Sequence, residues 1–154
     1  MVADGARSPG APSAGTTRVR RARSLDLNAV ARLWDDCGLV PSPRGFRNEM
    51  ERMLLRSPEL FLVATQADDG GRIVGALMGS FDGRVATVSR LATDPAHRRS
   101  GIATALVDAF AGELAGLGAG DAPLLVLDSN PAAERFWSAL AYDHVADVKA
   151  YRRR

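Results

Sequence analysis

The stretch RVATVSRLATDPAHRRSGIATALV, residues 84–107, changes its periodicity halfway along. Up to Thr93 the residues suit a strand. From about Gly101 to Leu117 the apolar residues Ala103, Val107, Phe110 and Leu114 recur at helical spacing, and Gly118 and Gly120 stop the run. APLLVLD follows, an unbroken apolar run that predicts a strand buried on both faces beside a parallel neighbour. Strand, loop, helix and strand over 85–127 therefore predict a right-handed parallel crossover. No other feature constrains the fold as much, because a parallel pair needs a helix packed across it. The loop also raises a chemical question. Arg98, Arg99, Ser100 and Gly101 stand where the helix starts, and cations are electrostatically misplaced at that end. Unpaired backbone N–H groups there attract an anion, so the charge points to a phosphate.

The preceding residues predict an antiparallel meander. Thr17–Ala22 alternates as a first strand, Ser24 is placed to cap a helix carrying Leu27, Val30, Leu33, Trp34 and Cys37, and Gly38 ends it. A second helix is expected from about Pro43 to Arg56, with Phe46, Met50, Met53 and Leu54 on one face. Strands at 60–66, 72–81 and 84–93 are joined by the turns DDGG and Asp82-Gly83. After the crossover, Asn130 is placed to cap a helix that opens on Pro131 and carries Phe136, Trp137 and Leu140, and VADVKAY predicts a last strand. Residues 1–16 are rich in Gly, Pro, Ser and Ala and read as a disordered leader before one domain over 17–154.

Composition narrows the function classes. The 154 residues are 46% hydrophobic and 25% charged, and no apolar run reaches membrane-spanning length. Cys37 is the only cysteine, which excludes a disulfide framework and fits the cytoplasm. His97 and His144 are the only histidines and have no metal-ligand cluster around them, so no metal is expected. Of the 20 basic residues all but Lys149 are arginine, spread along the chain, and the formal net charge is only +2. Nucleic acid and membrane are accordingly not the expected partners.

Two familiar phosphate loops are excluded. The dinucleotide fingerprint needs three glycines where only Gly101 stands, and the Walker loop needs a lysine followed by Ser or Thr, whereas Lys149 precedes Ala150. What remains is Arg98-x-x-Gly101-x-Ala103. This loop, together with LLVLDSNPAAERFWSALAYDHV, resembles the GNAT superfamily of N-acetyltransferases from about residue 17 to the end, and most of all the small bacterial YpeA-like and ribosomal-protein N-acetyltransferases. The resemblance implies an α/β acyl-coenzyme A N-acyltransferase fold, a mixed sheet of six or seven strands flanked by about four helices and splayed to admit acetyl-coenzyme A. Leu91, Ala92 and Thr93 would lie at a strand bulge and offer backbone groups to the pantetheine arm, with the N–H near Ala92 or Thr93 facing the thioester carbonyl. Arg98, Arg99, Ser100, Gly101, Ile102, Ala103 and Thr104 would surround the pyrophosphate. Asn130 and Phe136 would contact the coenzyme from the last helix.

The chain departs from that pattern where proton transfer is concerned. Trp137 replaces the usual acidic tyrosine, and indole cannot protonate a thiolate. The positions that often hold a base are Leu125 and Thr87. No catalytic acid or base is therefore assigned. The expected activity is acetyl transfer from acetyl-coenzyme A, as co-substrate, to a primary amine of unknown identity by direct attack, in a monomer or homodimer. The alternative is a non-catalytic acetyl-coenzyme A sensor of the same fold.

Overall fold

The computed structural model describes residues 16–39, 46–127 and 131–145, with 149, 151 and 153. Residues 1–15 of the expected leader, the expected start of the second helix, Asn130 and most of the expected last strand lie outside the described residues. Those described form a five-stranded sheet in chain order, and four α-helices: β1 (Thr17–Arg21), α1 (Leu27–Asp36), α2 (Phe46–Arg56), β2 (Phe61–Gln66), β3 (Arg72–Phe81), β4 (Ala86–Thr93), α3 (Ile102–Gly116), β5 (Leu124–Val126) and α4 (Pro131–Ala139). β1 to β4 are antiparallel neighbours and β5 runs parallel to β4. The meander and the crossover are thus both present, with five strands among the described residues where six or seven were expected.

Strand alternation divides the apolar residues between two faces. Leu62, Ala64, Val74 and Leu77 face α3 and α4, while Phe61, Val63, Ala76 and Met78 face α1 and α2. On the second face Trp34 stacks on Phe61 with ring centroids 5.7 Å apart and meets Phe46 edge-on. On the first face Ile102, Leu106 and Phe110 of α3 cover β3. That approach is close because β3 carries Gly75 and Gly79, four residues apart on one face. A Cβ on Gly75 would lie 2.6 Å from Ile102 Cγ2, and one on Gly79 would lie 2.6 Å from Phe110 Cε2.

Two sequence expectations are corrected. Ser24 makes no side-chain cap; it opens a single 3₁₀ turn, Ser24–Asp26, ahead of α1. The bracing carboxylate is Asp26, which accepts from the Arg23 N–H at 2.7 Å and from both Nη atoms of Arg20. The Arg20 guanidinium holds that carboxyl below the usual carboxylate range. β5 is not buried on both faces: Leu124, Leu125 and Val126 are all half-buried and Leu127 is exposed. It stands at the sheet's edge among the described residues, so its second side lacks the strand that an apolar run of this kind implies. α1 ends on Gly38 as expected, with the Gly38 N–H donating to Asp35 O and the Leu39 N–H to Trp34 O.

Gly79→Ala is expected to destabilise the protein by about 1–3 kcal/mol, because the added carbon would lie 2.5 Å from the Thr87 carbonyl as well as against Phe110. Gly112→Ala, inside α3 with nothing within 4 Å of the new methyl, is expected to stabilise by about 0.5–1 kcal/mol. Urea denaturation of the two variants should move the midpoint in opposite directions.

Candidate functional site

The pairing of β3 with β4 runs Leu77 to Leu91 and Met78 to Arg90, then jumps from Gly79 to Val88. Ser89 has no partner, so it is the extra residue of a β-bulge. The resemblance put a bulge at Leu91–Thr93; it lies at Ser89, and Leu91, Ala92 and Thr93 follow it in regular register. One extra residue reverses the facing of every side chain beyond it. Ala86 and Val88 face the α3 side, and after the bulge Leu91 does so as well, while Ala92 turns to the α1–α2 side.

The backbone is redirected with the side chains. Before the bulge the Val88 carbonyl faces β5, accepting from the Leu127 N–H at 3.2 Å. After it the Asp94 N–H faces β3, donating to Val74 O at 2.8 Å. Antiparallel alternation from Asp94 puts the Ala92 amide on β3 and turns the amides of Leu91 and Thr93 the other way. The described pairing of β4 with β5 ends at Val88 and Val126. Leu91 and the Thr93 N–H therefore face an edge that the described part of β5 does not follow, while the Thr93 carbonyl accepts from Cys37. Of the two amides considered for a developing oxyanion, Thr93 faces this edge and Ala92 does not.

β4 leads into the basic loop. The Asp94 carboxylate accepts from the Ala96 N–H at 2.9 Å and pairs with Arg72 at 2.8 Å, which ties the loop to the base of β3. Ser100 donates through its hydroxyl to the His97 carbonyl. Arg99 has φ +64° and Gly101 φ +78°, both left-handed, on either side of Ser100. For arginine that conformation costs free energy, since its Cβ crowds the backbone. For Gly101 there is no such cost, and having no side chain it leaves the N-terminus of α3 uncapped from that position. Left-handed residues alternating with ones that are not turn successive backbone N–H groups toward one point, an arrangement suited to anions. The loop thus presents Arg98 to Thr104 at the positive end of a 15-residue helix. Asn130 lies outside the described residues, and Phe136 is buried in the α3-side core at 2% exposure.

Two side chains on the α1–α2 side of β4 make contacts that the sequence reading did not anticipate. Arg90 is 9% exposed and sits over Phe46, 4.9 Å from the ring centroid. It donates to the Leu39 carbonyl at 3.1 Å and to Glu49 at 2.5 Å, so one strand residue holds both the end of α1 and the start of α2. A mid-strand arginine in the otherwise uncharged run ATVSRLAT was the available signal. Cys37 is half-buried and its thiol donates to the Thr93 carbonyl at 3.6 Å. Burial pushes that thiol above its usual range, and the adjacent Arg98 guanidinium offsets only part of the effect. Thr87 and Leu125, the positions where a base was sought, are partners in the β4–β5 register. Neither can take a proton at neutral pH. Among the described residues no group of three or more His, Cys, Asp or Glu is placed to hold a metal ion, and no helix is long and apolar enough to cross a membrane.

Residues 27–142 match the Acetyltransferase (GNAT) family. An acetyltransferase of Pectobacterium atrosepticum is 34% identical over 127 residues, covering 82% of this chain and 88% of its own. Among solved structures, AAC(6')-Iy in complex with a bisubstrate analog superposes with a TM-score of 0.75 at 17% identity, covering 91% of this chain and 99% of that one. The ribosomal-protein-S18-alanine N-acetyltransferase from Escherichia coli gives 0.67 at 20% identity, covering 85% and 80%. At such identities the structural likeness is one of fold.

The Cys37 environment has a measurable consequence. A thiol raised by burial stays protonated at neutral pH, and the thiolate is the reactive form. Alkylation by iodoacetamide is expected to be slow at pH 7 and to rise only above the pH at which free cysteine reacts. Arg98→Ala should shift the profile higher still, since Arg98 lowers the thiol's pKa. Fast alkylation of the folded protein at pH 7 would contradict this reading of the site.

Proposed function

The chain belongs to the GNAT family of acetyltransferases, and on that premise we propose that it moves the acetyl group of acetyl-coenzyme A to a primary amine by direct attack on the thioester. One observation carries the proposal. The bulge at Ser89 turns the Leu91 and Thr93 amides toward an edge of β4 that is unpaired among the described residues, and the same strand runs directly into the basic loop at the N-terminus of α3. A long ligand with a charged phosphate end and a neutral acyl end suits that pair of features.

Bound acetyl-coenzyme A supplies an activated acyl group whose thiolate leaving group has ordinary basicity, near the ~8.5 of a free cysteine. The chain's part is to hold and orient it. Arg98, Arg99 and Ser100, with the backbone of Gly101, Ile102, Ala103 and Thr104, cradle the pyrophosphate, where small residues let the backbone approach closely. Leu91 and Thr93 pair with the pantetheine arm along the strand edge. The Thr93 N–H is directed at the carbonyl oxygen, where negative charge develops as the amine adds. Phe136 closes the far side. Thr87 and Leu125 offer no base, so solvent takes the proton from the attacking amine. Cys37, held as a neutral thiol, forms no acyl intermediate. Loss of one positioned acid or base typically slows such chemistry about 10²–10⁴-fold, which leaves a slow enzyme.

The acceptor is a primary amine: a protein N-terminus, a lysine or a small amine. An open cleft of about 560 Å³ between α1 and the β2–β3 turn includes Asp26, Asp36, Asp69 and Asp94 in its lining. Three of these four already face arginine partners. Its charge therefore gives no reason to prefer a polycationic acceptor.

The test is release of coenzyme A thiol from acetyl-coenzyme A over a panel of peptides and small amines, with coenzyme affinity measured by calorimetry. Enzyme-dependent release with at least one amine is expected. Gly101→Glu, which puts a carboxylate and bulk at the uncapped end of α3, is expected to abolish coenzyme binding in a protein whose circular dichroism is unchanged. Unchanged affinity in that folded variant would contradict the phosphate assignment, and binding without release across the panel would contradict the transfer.

A further inference from the structure

Trp137 is 7% exposed, and its indole Nε1 is fully buried with no hydrogen-bond partner among the described residues. A buried donor left unsatisfied keeps its desolvation cost without compensation, so such a group in a folded core calls for a partner. The neighbouring rings do not supply one: Phe136 and Tyr142 meet the indole edge-on, at centroid distances of 5.4 and 5.2 Å. The location says what could. Trp137 belongs to the α3-side core, which also holds Leu91 after the bulge and Ile102 and Ala103 of the first turn of α3. Leu91, Ile102 and Ala103 stand between the anion loop and the stretch of β4 that the described part of β5 leaves unpaired. A second polar atom on this side is in the same condition. Thr93 alternates with Ala92 and so shares the facing of Leu91, and its hydroxyl is buried and without a partner among the described residues.

We infer that the Trp137 indole N–H is completed by the bound coenzyme, donating a hydrogen bond to a carbonyl of the pantetheine arm. This rests on the coenzyme reading above. Indole is a donor only, so it requires an acceptor, and the arm between the phosphates and the thioester carries neutral amide carbonyls. The contact involves no proton transfer. It makes Trp137 a positioning residue: the substitution that removes an acid from this site leaves a donor that grips the ligand.

The two tryptophans give a direct readout. Trp34 also has a buried, unpartnered Nε1, but it lies on the opposite side of the sheet beneath Arg90, so it serves as an internal control. In ¹H–¹⁵N spectra of the full chain the two indole signals can be assigned with whichever of Trp34→Phe and Trp137→Phe folds. Titration with coenzyme A should move the Trp137 signal downfield and leave that of Trp34 nearly in place. Adenosine 3′,5′-bisphosphate, which carries the nucleotide end without the arm, should leave both in place. Trp137→Phe should bind coenzyme A about tenfold more weakly, the worth of one hydrogen bond, and bind the bisphosphate as before. Calorimetric binding of coenzyme A with an unmoved Trp137 signal would overturn the inference and spare the proposed function. Equal movement with both ligands would overturn the assignment to the arm. Absence of coenzyme binding would remove the proposed function and this inference together.

Discussion

One unpaired residue governs the geometry around β4. An antiparallel strand with unbroken register would keep alternate amides engaged with β3 and the others with β5 along its whole length. Ser89 breaks that pattern. Beyond it the strand's facing is reversed, so Leu91 joins the α3-side core and Arg90 and Ala92 turn to the helices of the other face. The described pairing with β5 stops at the same place. Everything proposed for the site follows from this: an edge of backbone donors and acceptors, a loop that starts one residue later, and a helix whose positive end faces the loop.

The surroundings hold that edge in position from both sides. On one, Gly75 and Gly79 let α3 settle onto β3, which fixes the height of its N-terminus above the sheet. On the other, Arg90 clamps the end of α1 to the start of α2, and Cys37 closes on the Thr93 carbonyl. Asp94 links the loop back to Arg72. The strain at Arg99 belongs to the same design. A left-handed arginine is retained in the turn that leads into α3, where strain of this kind is commonly part of a functional site.

Much of this was legible in the sequence because it rests on local patterns. The crossover followed from the shift of period between Thr93 and Gly101, the meander from alternating runs between Asp-Gly turns, and the anion loop from basic residues at the wrong end of a helix. The bulge was displaced by two residues because register depends on the partner strand, and nothing in VSRLAT says which residue β3 will skip. The Ser24 cap failed for a similar reason: Asp26, held by Arg20 from β1, takes the bracing role through a contact between elements. The half-buried state of β5 was misread because an apolar run reports what a strand can bury and does not say what lies beside it. Arg90, Cys37 and the unpartnered Trp137 indole became visible only when distant segments were brought together.

The reversal of β4 at Ser89, which turns the Leu91 and Thr93 amides to the ligand proposed above, can be followed by residue-resolved amide hydrogen exchange with and without acetyl-coenzyme A. Slow exchange is expected at Ala92 in both states, because that amide faces β3. Faster exchange is expected at Leu91 and Thr93 in the free protein, and strong protection of both once the coenzyme is bound. Equal protection of all three amides in the free protein, unchanged by saturating coenzyme, would contradict that reversal.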